Sequence, residues 1–353
     1  MKIAVMSTFP PKKCGVGVYT RNLVNAMSGF ADVTVISFKG FDYTDRRVVP
    51  LISSWLSYFR VALFIKKEKF DKVIIQYDYL YYNLLVFPFF LFLLRLFGFN
   101  PNLIIHTVAS YSDFFRKTLF RLYHSYLLLF TKKVFVHTVN AKNKLLGSTV
   151  VKKPVEIVFH PILVRDTAPR VHRKGKIRLL CFGFIVWDKG TDIAIKAFGN
   201  ARNVSLKIVG SIPVYPIRNK QEFLDEVKNL ASQYKNIELV NRFVSEEEKA
   251  DAYTWCDFVV MPYRSIEQSG IIAEAWSFQR IPVCSDIRAL REDTGNGRYG
   301  VLFKAGDIDD LKKTVFSLAK DSRMQEKLLS GIKQVIKDRD FTKLSKDFVE
   351  KSS

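Results

Sequence analysis

Short runs of apolar, often β-branched residues recur along this chain, and each run is followed by a loop and a stretch with helical periodicity. This alternation predicts parallel strands in sheets whose two faces are covered by helices. The first series of runs lies at residues 3–6, 33–37, 72–76, 103–107, 134–137 and 156–159. The second series lies at residues 177–184, 205–210, 237–240, 258–262, 282–285 and 300–303. We therefore predict two doubly wound α/β units in tandem.

A polar, basic segment without apolar periodicity separates the two series at residues 163–176, as is typical of a linker. The length of 353 residues also agrees with two domains of the usual size, about 150 residues each. We predict domains over residues 1–168 and 169–335, followed by a lysine-rich helical segment over 336–353. Because ligands of open parallel sheets bind beyond the carboxyl ends of the strands, we expect a site in a cleft where the two sheets face each other.

The positive charge is unevenly distributed along the chain. Residues 1–165 carry +15 of the net +21, which predicts that the N-terminal half meets nucleic acid, acidic lipid or a phosphorylated substrate. Residues 55–60 and 114–123 combine large apolar and basic side chains at helical spacing, as in helices that lie in a membrane interface. For any one helix, a buried apolar face and a solvated basic face is the alternative. We predict an anionic membrane surface as the partner.

The longest apolar run, residues 84–94, is followed by Arg95 and is shorter than the roughly 20 residues that span a bilayer. We predict a helix that is buried or dips partly into a membrane. The N-terminus has no apolar segment typical of a signal peptide. The four scattered cysteines indicate neither a disulfide framework nor a zinc site, and the 48% hydrophobic content excludes a disordered chain. These features predict a cytoplasmic protein.

Two glycines, Gly15 and Gly17, follow the first predicted strand and open a helix. The third glycine of a dinucleotide fingerprint is missing, so NAD or FAD is not favoured. Closely spaced glycines can still let a phosphate approach backbone N–H groups. A turn that requires positive φ is the alternative.

A second loop, after residues 258–262, leads into a helix at Ser269 and Gly270. The start of this helix offers N–H donors and a partial positive charge to an anion, with Ser269 as its N-cap. Glu274 lies one turn further on the same face, where it can accept hydrogen bonds from ribose hydroxyls. Lys189, at the end of the first strand of the second unit, can reach the same diphosphate. A capped helix with a surface glutamate is the alternative.

The order and spacing of these motifs resemble glycosyltransferase family 4, the retaining GT-B enzymes that use nucleotide sugars. The likeness runs over most of the chain, at residues 14–17, 189–190, 244–248, 256–257, 262–263, 269–274, 282–283 and 300–303. It implies a GT-B fold, with an acceptor domain over 1–168, a nucleotide-sugar domain over 169–335 and a final helix that crosses back to the first domain.

The resemblance also implies roles for individual residues. Gly15 and Gly17 would border the diphosphate, Lys189 would neutralise its developing charge, and Glu274 would hold the ribose. Such stabilisation of the leaving group is usually the largest catalytic contribution. No protein nucleophile, cofactor or metal is implied, and Asp307 and Asp309, which match a D-x-D pattern, are better explained by a helix N-cap.

The first departure from the family pattern concerns the diphosphate. The arginine that usually follows the strand-end glycine is Phe184 here, which leaves Lys189 without its cationic partner. Arg264 is a candidate substitute.

Two further departures concern the donor sugar. The first glutamate of the E-x7-E pair is replaced by Ile266, with Glu267 one position later. The T-x-H motif becomes Thr107-Val108-Ala109, with His106 before the threonine. We therefore predict Glu267 and His106 as candidate contacts to the sugar.

Together these features predict a glycosyltransferase that moves a sugar from a nucleoside-diphosphate sugar to a glycan or lipid-linked acceptor. It would act in polysaccharide or glycolipid biosynthesis, peripherally at the inner face of the membrane. The alternative is a nucleotide-sugar-binding or scaffold protein with little turnover, motivated by Phe184, Ile266 and Ala109. Nucleic-acid binding would explain the charge but not the Lys189, Ser269 and Glu274 motifs.

Overall fold

The computed structural model describes residues 1–109, 113–213, 217 and 219–350. The chain divides into two compact units, Met1–Pro161 together with the segment from Phe341 onward, and Ile162–Asp340. The two predicted α/β units are confirmed. The unit boundaries lie several residues from the predicted positions 168 and 335, because the chain just after Pro161 already packs on the C-terminal unit.

The N-terminal unit is built on a parallel sheet. Within the described residues it has seven strands in the order β3-β2-β1-β4-β5-β6-β7. The strands are β1 (Lys2–Met6), β2 (Asp32–Phe38), β3 (Val48–Ile52), β4 (Lys72–Tyr77), β5 (Asn102–Ile105), β6 (Val134–Val136) and β7 (Val155–Ile157). The sequence analysis missed β3, which contains Pro50. A strand with a proline is tolerated at the sheet edge, where β3 lies.

Helices follow the strands of this unit: α1 (Gly15–Met27), α2 (Ser57–Glu68), α3 (Val86–Leu96), α4 (Phe114–Leu129) and α5 (Val139–Gly147). The helices α2 to α5 contribute side chains to one buried apolar core over the sheet, including Val61, Phe90, Leu127 and Leu145. The predicted apolar helix at residues 84–94 corresponds to α3, which buries Phe87, Phe90, Leu91 and Leu94. None of the helices in the described residues has the length and apolar character that crossing a bilayer demands.

The C-terminal unit has the same kind of architecture. Its six described strands are parallel, in the order β10-β9-β8-β11-β12-β13. They are β8 (Ile177–Phe182), β9 (Val204–Gly210), β10 (Ile237–Asn241), β11 (Phe258–Met261), β12 (Ile281–Ser285) and β13 (Val301–Phe303). The helices are α6 (Thr191–Phe198), α7 (Lys220–Ser232), α8 (Glu246–Trp255), α9 (Gly270–Ser277), α10 (Arg288–Asp293), α11 (Ile308–Lys320) and α12 (Ser322–Asp338), and a 3₁₀ turn spans Trp187–Lys189.

The last helix, α13 (Phe341–Glu350), belongs to the N-terminal unit. Its Phe341 ring lies 5.6 Å from that of Tyr19 on α1, and its Phe348 ring lies 5.0 Å from that of Phe135 in β6. The returning helix begins at Phe341, a few residues after the predicted start at 336, because α12 continues to Asp338 within the C-terminal unit.

The segment predicted as a linker, residues 163–176, is held against the C-terminal unit by its own charges. Asp257, before β11, pairs with Arg170 and accepts a hydrogen bond from His172 Nδ1 at 3.2 Å. Thr167 donates to the carbonyl of Ser277 at 3.2 Å. A polar segment without periodicity looks like a free linker in the sequence, but here its polar groups find buried partners.

Candidate functional site

The start of α9 lies beyond the carboxyl end of β11, one of the central strands of the C-terminal sheet. The chain is extended at Ser269 (φ −136°, ψ 110°) and becomes helical at Gly270, as predicted. Ser269 occupies the N-cap position, but its side chain makes no capping hydrogen bond. Its hydroxyl is buried and has no hydrogen-bond partner among the described residues, and the same holds for Gln268 Oε1. The first turn of α9 thus keeps its backbone donors available to an anion.

Glu274, one turn into α9, is fixed by two cations. Its Oε1 accepts a hydrogen bond from Lys249 Nζ of α8 at 3.0 Å, and its Oε2 lies 3.8 Å from Arg165 Nη2. Lys249 is only 8% exposed and also contacts Glu246 Oε2 at 2.8 Å. The Oε2 atom of Glu274 is buried and accepts no hydrogen bond from any described residue. The carboxylate is therefore oriented through one oxygen, while the other retains its capacity to accept.

Arg165 and Lys249 were not singled out in the sequence. Arg165 lies in the segment predicted as a linker, and its guanidinium stacks 4.4 Å from the centre of the Phe278 ring. Lys249 lies among several charged residues of α8. Neither position has a local pattern, since their role depends on contacts with Glu274 that only the folded chain provides.

Lys189 ends the 3₁₀ turn that follows β8, and its ammonium lies 3.9 Å from the centre of the Tyr263 ring. It shares a small pocket with Gly183, Phe184 and Pro262. Burial lowers the pKa of Lys189 to about 7. A bound diphosphate would favour the protonated form, because a nearby anion stabilises an ammonium.

Glycines let the loops at this edge of the sheet pack backbone to backbone. Gly190 has φ +61°, and a Cβ there would lie 1.9 Å from the carbonyl oxygen of Pro262. A Cβ on Gly210, at the end of β9, would lie 1.7 Å from the carbonyl oxygen of Gly183. Only glycine fits these approaches, which bring the Lys189 turn beside the loop that leads to α9.

Arg264 pairs with a carboxylate of the same unit. Its guanidinium donates two hydrogen bonds to the buried Asp192, at 2.8 and 2.7 Å, and one to the carbonyl of Trp187 at 2.8 Å. It ties the loop after β11 to the turn that carries Lys189. The charge of Arg264 is thus paired with Asp192, and Arg264 remains the predicted substitute for the cation missing at Phe184.

The predicted sugar contact of the C-terminal unit lies in the loop before α9. Glu267 is half-buried there, two residues before Ser269. Ile266, which occupies the family's glutamate position, packs against the apolar core of the unit. Glu267 remains a predicted contact to the sugar.

The two glycines of the N-terminal unit differ in their surroundings. Gly15 is exposed, with no atom within 4 Å of where a Cβ would be. Gly17 is buried, and its N–H donates to the Cys14 thiol at 3.3 Å. Cys14 is thus the N-cap of α1. The donor of Gly17 is already used, so Gly15 is the one of these two glycines with open space around it.

His106 is buried rather than presented to solvent. It is 5% exposed, and its Nε2 lies 2.5 Å from Gln76 Oε1. Burial and the neighbouring His137 and His160 lower its pKa well below the ordinary value, so the ring is neutral. A sugar contact through Nε2 would require that the bond to Gln76 be broken.

His106 belongs to an aromatic cluster that the sequence analysis did not predict. The Tyr19 ring lies 5.0, 5.4 and 5.2 Å from the rings of His106, His137 and His160. These histidines follow β5, β6 and β7 at the carboxyl edge of the sheet. Burial lowers the pKa of His137 to about 3. Within the described part of the chain, no group of three His, Cys, Asp or Glu side chains is placed to hold a metal ion.

The helix cap predicted at Asp307 is confirmed. Asp307 is the N-cap of α11 and accepts a hydrogen bond from the N–H of Asp310 at 3.0 Å. Ser245 and Glu248 form a capping box at the start of α8. The D-x-D pattern is therefore used locally, in a helix terminus.

Comparison with known proteins agrees with this geometry. Residues 165–337, nearly all of the C-terminal unit, match the family model described as glycosyl transferases group 1. No curated protein matches the sequence. The match covers most of the C-terminal unit, and most of the N-terminal unit lies outside it.

Solved structures match over almost the whole chain. Sucrose-phosphate synthase from Thermosynechococcus elongatus is 14% identical, with 99% of this chain and 98% of that chain covered and a TM-score of 0.76. Anabaena HepE in complex with UDP is 14% identical, with 99% of both chains covered and a TM-score of 0.77. A glycosyltransferase from Rickettsia africae is 15% identical, with 99% and 97% covered and a TM-score of 0.76. These likenesses confirm the predicted GT-B fold.

Proposed function

We propose that this protein is a family 4-like glycosyltransferase that moves a sugar from a nucleoside-diphosphate sugar to a glycan or lipid-linked acceptor, with retention of configuration. The observation that carries the proposal is the start of α9, where backbone donors without a side-chain cap lie one turn before a buried carboxylate oxygen that accepts no hydrogen bond from the described residues. The UDP complex of HepE, which has the same fold, supports this choice of ligand.

The start of α9 suits the two halves of a nucleotide. The diphosphate would accept hydrogen bonds from the N–H groups of the first turn and from the Ser269 hydroxyl. Four residues of helix rise by about 6 Å, so Glu274 lies one turn behind the phosphate position. There its Oε2 can accept from the ribose hydroxyls. Each part of the ligand would thus meet a group that can still donate or accept a hydrogen bond.

Lys189 would stabilise the leaving group. As the bond between the sugar carbon and the diphosphate oxygen breaks, negative charge grows on the diphosphate, and a nearby ammonium lowers the barrier. The acceptor oxygen forms the new bond on the same face of the sugar, and its proton passes to the departing phosphate oxygen. This scheme needs no protein nucleophile. Glu267 and His106 remain predicted sugar contacts, and Gly15 and Gly17 remain predicted neighbours of the diphosphate.

The N-terminal unit suggests the class of acceptor. It carries most of the positive charge of the chain and exposes many large apolar side chains. We propose a lipid-linked or membrane-proximal acceptor, used in polysaccharide or glycolipid biosynthesis. The enzyme would be cytoplasmic and peripheral, at the inner face of the membrane.

A second candidate is a nucleotide-sugar-binding or scaffold protein with little turnover. The pairing of Arg264 with Asp192 favours it, because Lys189 is then left without a second cation in place of Phe184. Transfer and donor hydrolysis assays across an acceptor panel separate the two candidates. Binding without turnover in every assay would support the scaffold.

A thermal-shift screen with UDP-, GDP- and ADP-sugars tests the donor site directly, because a ligand that binds only the folded state raises the melting temperature. We expect one nucleotide class to stabilise the wild type and to have no effect on Glu274→Ala. Stabilisation of both proteins to the same extent, or of neither, would contradict the proposed site.

A further inference from the structure

Three helices lie next to each other on one face of the N-terminal sheet. The Tyr58 ring of α2 lies 5.5 Å from the Phe90 ring of α3, and the Phe92 ring of α3 lies 5.8 Å from Phe130 at the end of α4. Each helix buries its inner side in the core of the unit. We call their outward sides the α2–α4 face.

Large apolar side chains lie along the α2–α4 face at helical spacing. They form one stripe per helix, with members three, four or seven positions apart. The exposed members are Leu56, Phe59 and Leu63 along α2, Leu85, Phe89, Phe92 and Leu96 along α3, and Phe115, Leu119, Leu122 and Leu129 along α4. Soluble monomers rarely expose an apolar surface of this kind. The stripes therefore indicate a face that is covered in use.

Basic side chains accompany the stripes. The exposed ones on the three helices are Arg60, Lys66, Lys67, Arg95, Arg116, Lys117 and Arg121. The acidic residues of these helices and their N-cap positions are Glu68, which pairs with Lys2 at 2.8 Å, and Asp113, which lies 3.7 Å from Arg116. Lys66 lies 4.5 Å above the Phe97 ring, so an ammonium and an apolar ring share the same surface. The face combines apolar stripes with positive charge and almost no negative charge.

This combination fits an anionic bilayer better than a protein partner. Apolar side chains can enter the boundary between headgroups and acyl chains, while long basic side chains reach the lipid phosphates. The cores of protein interfaces are instead depleted of lysine, and a protein partner would call for matching acidic groups. Charge complementarity thus selects the lipid surface.

The three most exposed apolar residues of these helices lie at helix starts. Leu85, at the start of α3, is 89% exposed, and Phe114 and Phe115, at the start of α4, are 85% and 76% exposed. In a parallel sheet, helices start near the carboxyl ends of the strands, where ligands of such sheets bind. Insertion of this end would bring lipid-linked molecules to the edge of the sheet that is suited to an acceptor.

We infer that the α2–α4 face binds the surface of an anionic lipid bilayer, with its apolar stripes in the interfacial layer and its basic side chains at the headgroups. The inference deepens the proposed peripheral location. It rests on the proposed function only for the identity of the acceptor.

Flotation of the full-length protein with vesicles tests the inference. The vesicles contain phosphatidylcholine alone or phosphatidylcholine mixed with anionic phosphatidylglycerol. We expect the wild type to float with the anionic vesicles at low salt, and Leu85→Ser/Phe114→Ser/Phe115→Ser to partition at least about tenfold less, because each residue buries several CH₂ groups. The control Val164→Ser/Met324→Ser alters exposed apolar residues of the C-terminal unit and should float like the wild type.

A second measurement does not depend on the serine variant. Trp55 is exposed at the start of α2, so its fluorescence should shift to shorter wavelength with anionic vesicles and be quenched by brominated lipid. Trp55→Phe should lose this signal but still float. A wild type that stays unbound at low salt, or a serine variant that folds and floats like the control, would overturn the inference. A lipid-free dimer that the serine variant breaks would identify a second copy as the occupant and overturn it too.

Flotation and stabilisation by a nucleotide sugar, measured on the same proteins, distinguish a failure of this inference from a failure of the proposed function. Stabilisation by a nucleotide sugar without flotation would refute the docking face alone. Flotation without stabilisation by any nucleotide sugar would leave the face standing and refute the proposed transferase.

Discussion

In both units helices cover a parallel sheet, but the two units differ in where their charged and large apolar side chains lie. The N-terminal unit exposes its basic residues beside large apolar side chains on the α2–α4 face. In the C-terminal unit, the cations near the candidate site are paired or half-buried, as Arg264 with Asp192 and Lys249 with Glu274 show. The exposed large apolar residues described in that unit are Val164, Trp187, Phe243 and Met324.

This difference matches what each unit shares with other proteins. The family model covers most of the C-terminal unit, which contains the proposed nucleotide site. The N-terminal unit is covered by the matches to solved structures but lies mostly outside the family model. We infer that the chemistry of the donor restrains the sequence of one unit, while the surroundings of the acceptor shape the other. The two roles should then be separable by mutation.

The largest expected effect is that of Glu274→Gln. The amide keeps the shape of the side chain but removes a charged acceptor, and hydrogen bonds to charged groups contribute about 1.5–3 kcal/mol. We expect nucleotide-sugar affinity to fall by about 10- to 100-fold in calorimetry. Vesicle flotation should not change. If Glu274→Gln lost both nucleotide-sugar binding and vesicle flotation, the roles of the two units would not be separable by mutation.

The next effect concerns Lys189. Burial lowers the pKa of its ammonium to about 7. A bound diphosphate favours the ammonium, so binding takes up a proton when the pH lies above the pKa of the free protein. Affinity for a nucleotide sugar should be highest below about pH 6 and should fall as the pH rises through 7, by at most about tenfold per pH unit. The diphosphate of a nucleotide sugar has no titrating proton in this range.

Lys189→Met is the control for that pH dependence. It should bind more weakly than the wild type at low pH and should show a flat profile, because no ammonium remains to be lost. An equally steep profile in Lys189→Met would assign the titration to another group.

A smaller effect is expected from Lys249→Met. The ammonium of Lys249 holds Glu274 Oε1, which leaves Oε2 in place for the ribose. Removing it while keeping the apolar stem should let the carboxylate turn. The wild type should prefer ribonucleoside over 2′-deoxyribonucleoside diphosphates, and we expect Lys249→Met to reduce this preference several-fold. A lower melting temperature with an unchanged preference would mean that Lys249 only stabilises the fold.

Most of the fold could be predicted from the sequence, because buried parallel strands have a local signal in their residue pattern. Runs such as 258–262 and 282–285 contain β-branched residues between turn residues, and they became β11 and β12 within one residue. The strand β3 was missed because Pro50 interrupts its pattern and because edge strands are only half-buried. Its place depends on pairing with β2 rather than on its own composition.

The candidate site was predictable only where its signal is local. Ser269 and Gly270 mark a helix start in any context, and Glu274 follows at helical spacing. The surroundings of Glu274 depend on Arg165, more than a hundred residues away in the chain, and the charge of Arg264 is paired with Asp192 at a separation of 72 residues. Such pairings follow from tertiary packing, so the sequence could propose Arg264 as a ligand contact but could not predict its pairing with Asp192.

The smallest expected effect restores the family's cation through Phe184→Arg. Phe184 is half-buried and lines the pocket that contains Lys189, so an arginine there would place a second positive charge near the proposed diphosphate. Because partly exposed ion pairs contribute only about 0.2–1 kcal/mol, we expect donor affinity to rise by no more than about fivefold. Phe184→Met isolates the charge, since it keeps an apolar side chain in the same place. A gain in affinity without any gain in transfer would favour the scaffold. A parallel rise in the transfer rate would show that the C-terminal unit still acts as a donor site and that the missing cation limits transfer.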